Sequence, residues 1–284
     1  MIVKRTQWLL AGGALLLVFL IVTFGNFVPE KKATTPSAAA MGPNATSPAI
    51  SIDTILALAV SQLTEAQKIS FSNLKDKKVA DQAGQLAVYH DLAHFWRDTI
   101  GIFEPYAWYE AEAARLEKSE KSLTFAARLF LDNLQSDENP TRRQWKALQA
   151  KDLFERSLNI NPNNDSARVG LGACYLFGNV SANPMEGIAK IREVLAKDST
   201  NLYAQLMLVR GSLLSGQYDK GISRLKTVLG LAPDNVEATL LMADLQERTG
   251  NKKLAVEWYQ KSIRLIPSEE IKAAIRDRIN ELNK

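Results

Sequence analysis

The chain has 284 residues, 46% of them hydrophobic and 23% charged, figures that suit one or two ordinary globular domains outside the first fifty residues. The net charge of +4 is concentrated near the N-terminus. Lys4, Arg5, Lys31 and Lys32 against Glu30 give residues 1–50 a net +3 and leave +1 for the remainder, so nothing general favours a phosphate backbone and no nucleic-acid partner is expected. The single cysteine, Cys174, excludes an intramolecular disulfide and a cysteine-rich zinc site.

Trp8 to Val28 is a 21-residue run without a charge, long enough as a helix to span a bilayer core of roughly 30 Å. Trp8, Phe24 and Phe27 near its ends suit the membrane interfaces. A cleaved signal peptide is the rival reading, but the run is long for one. Its nearest small-x-small site, Thr23-Phe24-Gly25, is poor, and Ala38-Ala39-Ala40 lies well beyond the run. The basic flanks tie, Lys4 and Arg5 against Lys31 and Lys32; the free amino group and Glu30 tip the balance towards an N-terminus inside. We therefore expect a cytoplasmic head at 1–7, a transmembrane helix at 8–28 and a flexible linker at 29–50 rich in Ala, Thr, Ser and Pro. The body should then lie on the periplasmic side of an inner membrane.

Residues 51–118 read as an N-terminal helical region. Ser51 is placed to cap a helix carrying Ile52, Ile55, Leu56, Ala59, Leu63 and Ala66 on one face and running to Leu74. Further helices are expected over about 79–100 and 105–116. Within the first of these, His90 and His94 share a face at the i, i+4 spacing of zinc ligands. The zincin pattern has Glu after the first His; here Asp91 is one methylene shorter. With only two histidines in the chain, a third ligand needs a carboxylate such as Glu104 or Glu110. A zinc hydrolase is thus the weaker reading, against a helix with two polar rings beside Tyr89 and Trp96. Cys174 sits in the small-residue stretch from Gly170 to Tyr175 and reads as a packing residue. No P-loop, dinucleotide fingerprint or nucleophile elbow occurs, so we expect no enzyme, no cofactor and no metal.

The strongest signal is a period of 34 residues without a gap. Ala204 and Ala238, Leu208 and Met242, Gly216 and Gly250, Gly221 and Ala255, Leu225 and Tyr259, Leu231 and Leu265, and Pro233 and Pro267 are each 34 apart. Each unit places an apolar helix, a turn glycine able to adopt a left-handed conformation, a second helix with a small residue at a close approach, and a terminating proline. Leu171-Gly172-x-x-Tyr175 and Ala150-x-x-x-Phe154 followed by Pro162 carry the same halves. On these residues the chain resembles the tetratricopeptide repeat (TPR) family over about 120–267. Upstream units depart from the pattern: three extra residues lie around 179–184, and a long turn, 135–142, separates helices at about 123–134 and 144–158. Ser268, Glu269 and Glu270 start a capping helix with Ile271, Ile275 and Ile279 on one stripe. The expected fold is all-α: a TPR-like solenoid at 119–267 with a cap at 268–284.

The resemblance implies that the first helix of each pair lines a concave face. By register this places Val169, Ala173, Leu176 and Phe177, then Tyr203, Leu206, Met207, Arg210, Leu213 and Leu214, then Glu237, Leu240, Asp244 and Arg248 on that face. The family's clamp for terminal carboxylates is not at these positions. A mainly apolar face with an arginine and a charged far end suits a helix or extended peptide; the alternative is that these side chains are core. The chain is similar to bacterial inner-membrane TPR proteins, some ancillary to the Sec translocon and periplasmic chaperones, others to cytochrome c assembly. That resemblance implies a membrane-anchored scaffold or chaperone-like adaptor whose partners are other proteins. A cytosol-facing import receptor is the alternative within the same class.

Overall fold

The computed structural model describes residues 50–181 and 183–284. The expected head, span and nearly all of the linker lie outside the described residues, among which no helix is long and apolar enough to cross a membrane. The described residues form thirteen α-helices and one π-helical segment, with no strand.

Ser51 caps α1 (Ile52–Ser61), its hydroxyl accepting from the Thr54 N–H at 3.2 Å. The one long helix expected to Leu74 is two. Thr64 adopts an extended backbone and forms a capping box with Gln67 that starts α2 (Glu65–Lys75). This satisfies two backbone donors at once and turns the chain so that Leu63 and Phe71 are both buried. α3 (Gln82–His94) passes into a π-helical turn, Phe95–Ile100, ended by Gly101 in the left-handed region. α4 (Phe103–Glu117) folds back along α3. Phe71, Val88, Leu92, Phe95, Trp96 and Tyr109 form a small core there. The other face of α4 carries Ala107, Ala111 and Ala114, which join the main core and let the repeats approach closely.

Four helical hairpins follow: α5 (Glu120–Leu134) with α6 (Pro140–Ile160), α7 (Asp165–Phe177) with α8 (Met185–Lys197), α9 (Leu202–Leu214) with α10 (Tyr218–Leu231), and α11 (Val236–Arg248) with α12 (Lys252–Leu265). α13 (Glu269–Leu282) closes the array, capped by Ser268 and burying Ile275 and Ile279. α6 begins four residues before the expected Gln144, because Asn139 caps it and Pro140 suits a first turn. The extra residues of the second hairpin fall in the connection at 178–184.

Asparagine marks the repeats as regularly as glycine does. Asn164, Asn201 and Asn235 start α7, α9 and α11, each side chain accepting from the N–H three residues on, at 2.9, 3.0 and 2.8 Å. Gly216 and Gly250 close the turns after α9 and α11 at φ of +71° and +81°, as their spacing predicts.

α7 and α8 cross backbone against backbone. A β-carbon on Gly172 would lie 2.7 Å from the Gly187 carbonyl oxygen, and one on Gly187 would lie 2.3 Å from that of Gly172. Backbone meets backbone here, so no side chain can move aside. Gly172→Ala should therefore lower stability by about 1–3 kcal/mol. The check is a urea titration, in which the midpoint should fall at unchanged slope; an unchanged midpoint would show that the pair slides apart freely.

Candidate functional site

The first helices of the hairpins, α5, α7, α9 and α11, pack side by side. They do not offer every residue that the register assigns to their inner face. Val169 and Ala173 have no exposed surface, and Leu206 and Met207 keep 6% and 4%. These four are packed between helices: α9 is contacted by α7, α10 and α11, so it is apolar almost all round. Leu176 and Tyr203 are half-buried against the main core. Phe177, Arg210, Leu213, Leu214, Asp244 and Arg248 do come together, with Gln135, Arg143, Ser215, Gly216, Tyr218 and Leu241, around a cleft of about 780 Å³. Glu237 flanks it through Arg210, while Leu240 packs with the capping helix.

The cleft lies at one edge of the concave face because the face itself is partly bridged. The Arg128 guanidinium sits 5.0 Å over the Tyr203 ring, so α5 and α9 reach each other across α7. Arg210 adds a second bridge: its Nε donates to Glu237 Oε1 at 2.8 Å and its Nη1 to Gln135 Oε1 at 3.5 Å. Burial pushes the Tyr203 hydroxyl well above the ordinary phenol range, although nearby Arg128 opposes it. The small side chains of α7, Val169 and Ala173, are what allow α5 and α9 to close over it. What stays open are the C-terminal ends of α7, α9 and α11, where Leu214 is 71% exposed.

The cleft's near wall is positioned by a buried charge. Lys146 Nζ lies 2.6 Å from Asp137 Oδ2, 2.7 Å from Glu104 Oε1 and 2.5 Å from Asn133 Oδ1. The Lys146 side chain is 2% exposed and that of Asp137 1%. Arg142 donates to the same carboxylate, at 2.5 Å from Nε. Burial alone would raise the Asp137 carboxyl, but the hydrogen bonds from Arg142 and Lys146 outweigh it and hold it below the ordinary carboxylate range. The backbone carbonyl of Asp137 accepts from Arg143, at 3.0 Å from Nε and 2.7 Å from Nη2, which fixes that guanidinium at the cleft. Repeat register could not have found Gln135 or Arg143, because they flank the irregular turn of the first hairpin, one capping the end of α5 and the other in the first turn of α6.

The other motif residues lie elsewhere. His94 Nδ1 is 2.9 Å from Asp98 Oδ2 and contacts Arg97, while His90 faces Glu110 at 3.8 Å. Glu104 is engaged by Lys146. Among the described residues, no three His, Cys, Asp or Glu side chains are grouped to hold a metal ion. Cys174 is fully buried, and burial pushes its thiol far up, leaving it a packing residue.

Residues 212–276 match the tetratricopeptide repeat family. The matched stretch runs from α9 into α13 and holds most of the ungapped 34-residue period. No curated protein matches the chain. Among solved structures, MamA from Desulfovibrio magneticus RS-1 is similar at 19% identity and a TM-score of 0.41, over 64% of this chain and 94% of that one. YrrB, described as a TPR protein with an unusual peptide-binding site, is similar at 15% identity and a TM-score of 0.40, over 75% and 98%. Yeast Tom70 is similar at 12% identity and a TM-score of 0.33, over 82% and 61%.

Lys146→Met leaves Asp137 and Glu104 sharing a single cation, Arg142, and should cost about 3–5 kcal/mol. Adding Asp137→Asn should cost less than the sum of the single changes. Because the Asp137 carboxyl is depressed in the folded chain, its stabilisation is complete above the unfolded value of roughly 4 and is lost as pH falls through the folded value. Thermal melts at pH 7 and pH 3 should show the wild-type chain losing more stability on acidification than Asp137→Asn does. Equal losses would refute the assignment.

Proposed function

We propose that this chain is a membrane-tethered scaffold or chaperone-like adaptor that docks partner proteins through the cleft at the edge of its helical repeats. The observation that carries this reading is the cleft: an apolar patch of Phe177, Leu213, Leu214 and Leu241, rimmed by arginines. Patches of this kind, apolar at the centre and polar at the rim, are what peptide and protein partners bury. The family match over 212–276 supports the repeat class, whose members are interaction modules. The uncharged run at 8–28 supports an anchor in the inner membrane. The linker at 29–50 would let the body sweep a volume outside the cytoplasm and so raise its effective concentration for neighbours there. Partners in a translocon, a periplasmic chaperone or a cytochrome assembly complex fit that placement.

A photoreactive residue at Leu214, followed by mass spectrometry of crosslinks formed in cells, should capture a discrete envelope partner. The same probe at the buried Leu206 should crosslink only within the chain. Leu214→Glu should reduce capture at a neighbouring cleft probe by about tenfold or more, since it puts a charge into an apolar interface. Crosslinks from Leu214 only to the chain's own helices would refute docking at the cleft. A C-terminal reporter active only in the periplasm tests the orientation.

A further inference from the structure

Three arginines line the cleft, and two of them are neutralised within the chain. Arg210 pairs with Glu237 at 2.8 Å and Arg248 with Asp244 at 2.9 Å. Arg143 differs. Its Nε and Nη2 both donate to one backbone carbonyl, that of Asp137, which carries no net charge. Among the described residues, no carboxylate oxygen lies within ion-pair distance of it. The carbonyl contact instead pins the guanidinium at the cleft that Phe177, Leu213 and Leu214 also line, and among the described residues its Nη1 donates to no partner. The pin is rigid because Asp137 is itself held by Lys146 and Arg142. An oriented, half-buried cation with its charge uncompensated, sharing a cleft with the exposed Leu214 and the half-buried Phe177 and Leu213, is complementary to one class of partner group.

We propose that the cleft recognises a partner segment in which an internal Asp or Glu carboxylate stands beside apolar side chains, Arg143 receiving the carboxylate. Arg143 is the specificity-determining residue, and Leu213, Leu214 and Phe177 take the apolar neighbours. This deepens the docking reading above and rests on it. An arginine fork takes a carboxylate through two parallel hydrogen bonds, which gives geometric as well as charge selectivity. One free cation is too few for a phosphate backbone, whose affinity grows with the number of neutralised charges. The chain's own linker is a poor occupant: its charged residues are Lys31 and Lys32 against Glu30, a net positive charge facing a positive site.

The test uses the full-length chain and arrays of randomised twelve-residue peptides, with a fixed central Glu, Gln or Lys and either a free or an amidated C-terminus. The Glu set should bind about tenfold tighter than the Gln set at low salt, and the Lys set weakest. The preference should shrink as salt rises and be indifferent to amidation. Arg143→Gln should bring binding of the Glu set down to that of the Gln set, and Arg143→Lys should restore part of the preference, keeping the charge without the fork. Restoration by lysine, which cannot repeat the double contact to Asp137, separates charge recognition from a merely structural role. Equal binding of the Glu and Gln sets would overturn the charge assignment and leave docking at the cleft standing. Loss of binding on amidation would overturn it in favour of a terminal carboxylate. Binding that Leu214→Glu does not touch, or no binding by any set, would overturn the cleft as the docking surface as well.

Discussion

An ammonium group with almost no access to water sits where three parts of the molecule meet. Lys146 comes from α6, Glu104 from the N-terminal helices, and Asp137 and Asn133 from the end of α5 and the turn after it. Removing such a charge from water is costly, and the cost is offset only when partners surround it on every side. Two cations, Lys146 and Arg142, face two carboxylates, Asp137 and Glu104, so the cluster is neutral. Its geometric demand is what matters: α4, the α5–α6 turn and the start of α6 must all be in place together. The same cluster holds the Asp137 carbonyl that aims Arg143. The register of the first hairpin and the shape of the cleft wall thus follow from one buried interaction.

Beyond that junction the array is built by close packing of small residues. Gly172 against Gly187 allows two helices to touch backbone to backbone, and Gly170 accommodates the Phe154 ring in the same way. The small inner residues of α7 then let α5 and α9 meet over it. The inner face is partly bridged by Arg128 on Tyr203 and by Arg210 between Gln135 and Glu237. Where the first helices end, Leu214 is exposed and Leu213 and Phe177 are half-buried.

Much of this architecture was legible in local residue patterns. The positions of Gly216 and Gly250 predicted left-handed turns, Ser51 and Ser268 predicted helix starts, and Cys174 read as packing. The long N-terminal helix was misread because its apolar stripe continues through Thr64, and the capping box outcompetes that continuity. The early start of α6 was missed because Pro140 looks like a breaker until Asn139 is seen to cap it. Register also assigned Val169, Ala173, Leu206 and Met207 to an open face, since periodicity separates apolar from polar sides but does not say which neighbour covers the apolar one.

The sequence by itself determined the helical class, the 34-residue unit, its turns and the closing helix, because these depend on contacts among residues a few positions apart. Only the tertiary structure decided the cleft. Gln135 and Arg210 are 75 residues apart and meet through the curvature of stacked hairpins, as do Arg128 and Tyr203. Curvature of that kind is the accumulated result of how closely each helix pair packs. Which arginine keeps an uncompensated charge is likewise set by the carboxylates that the folded chain brings within reach, and Arg143 is the one whose partner is a neutral carbonyl.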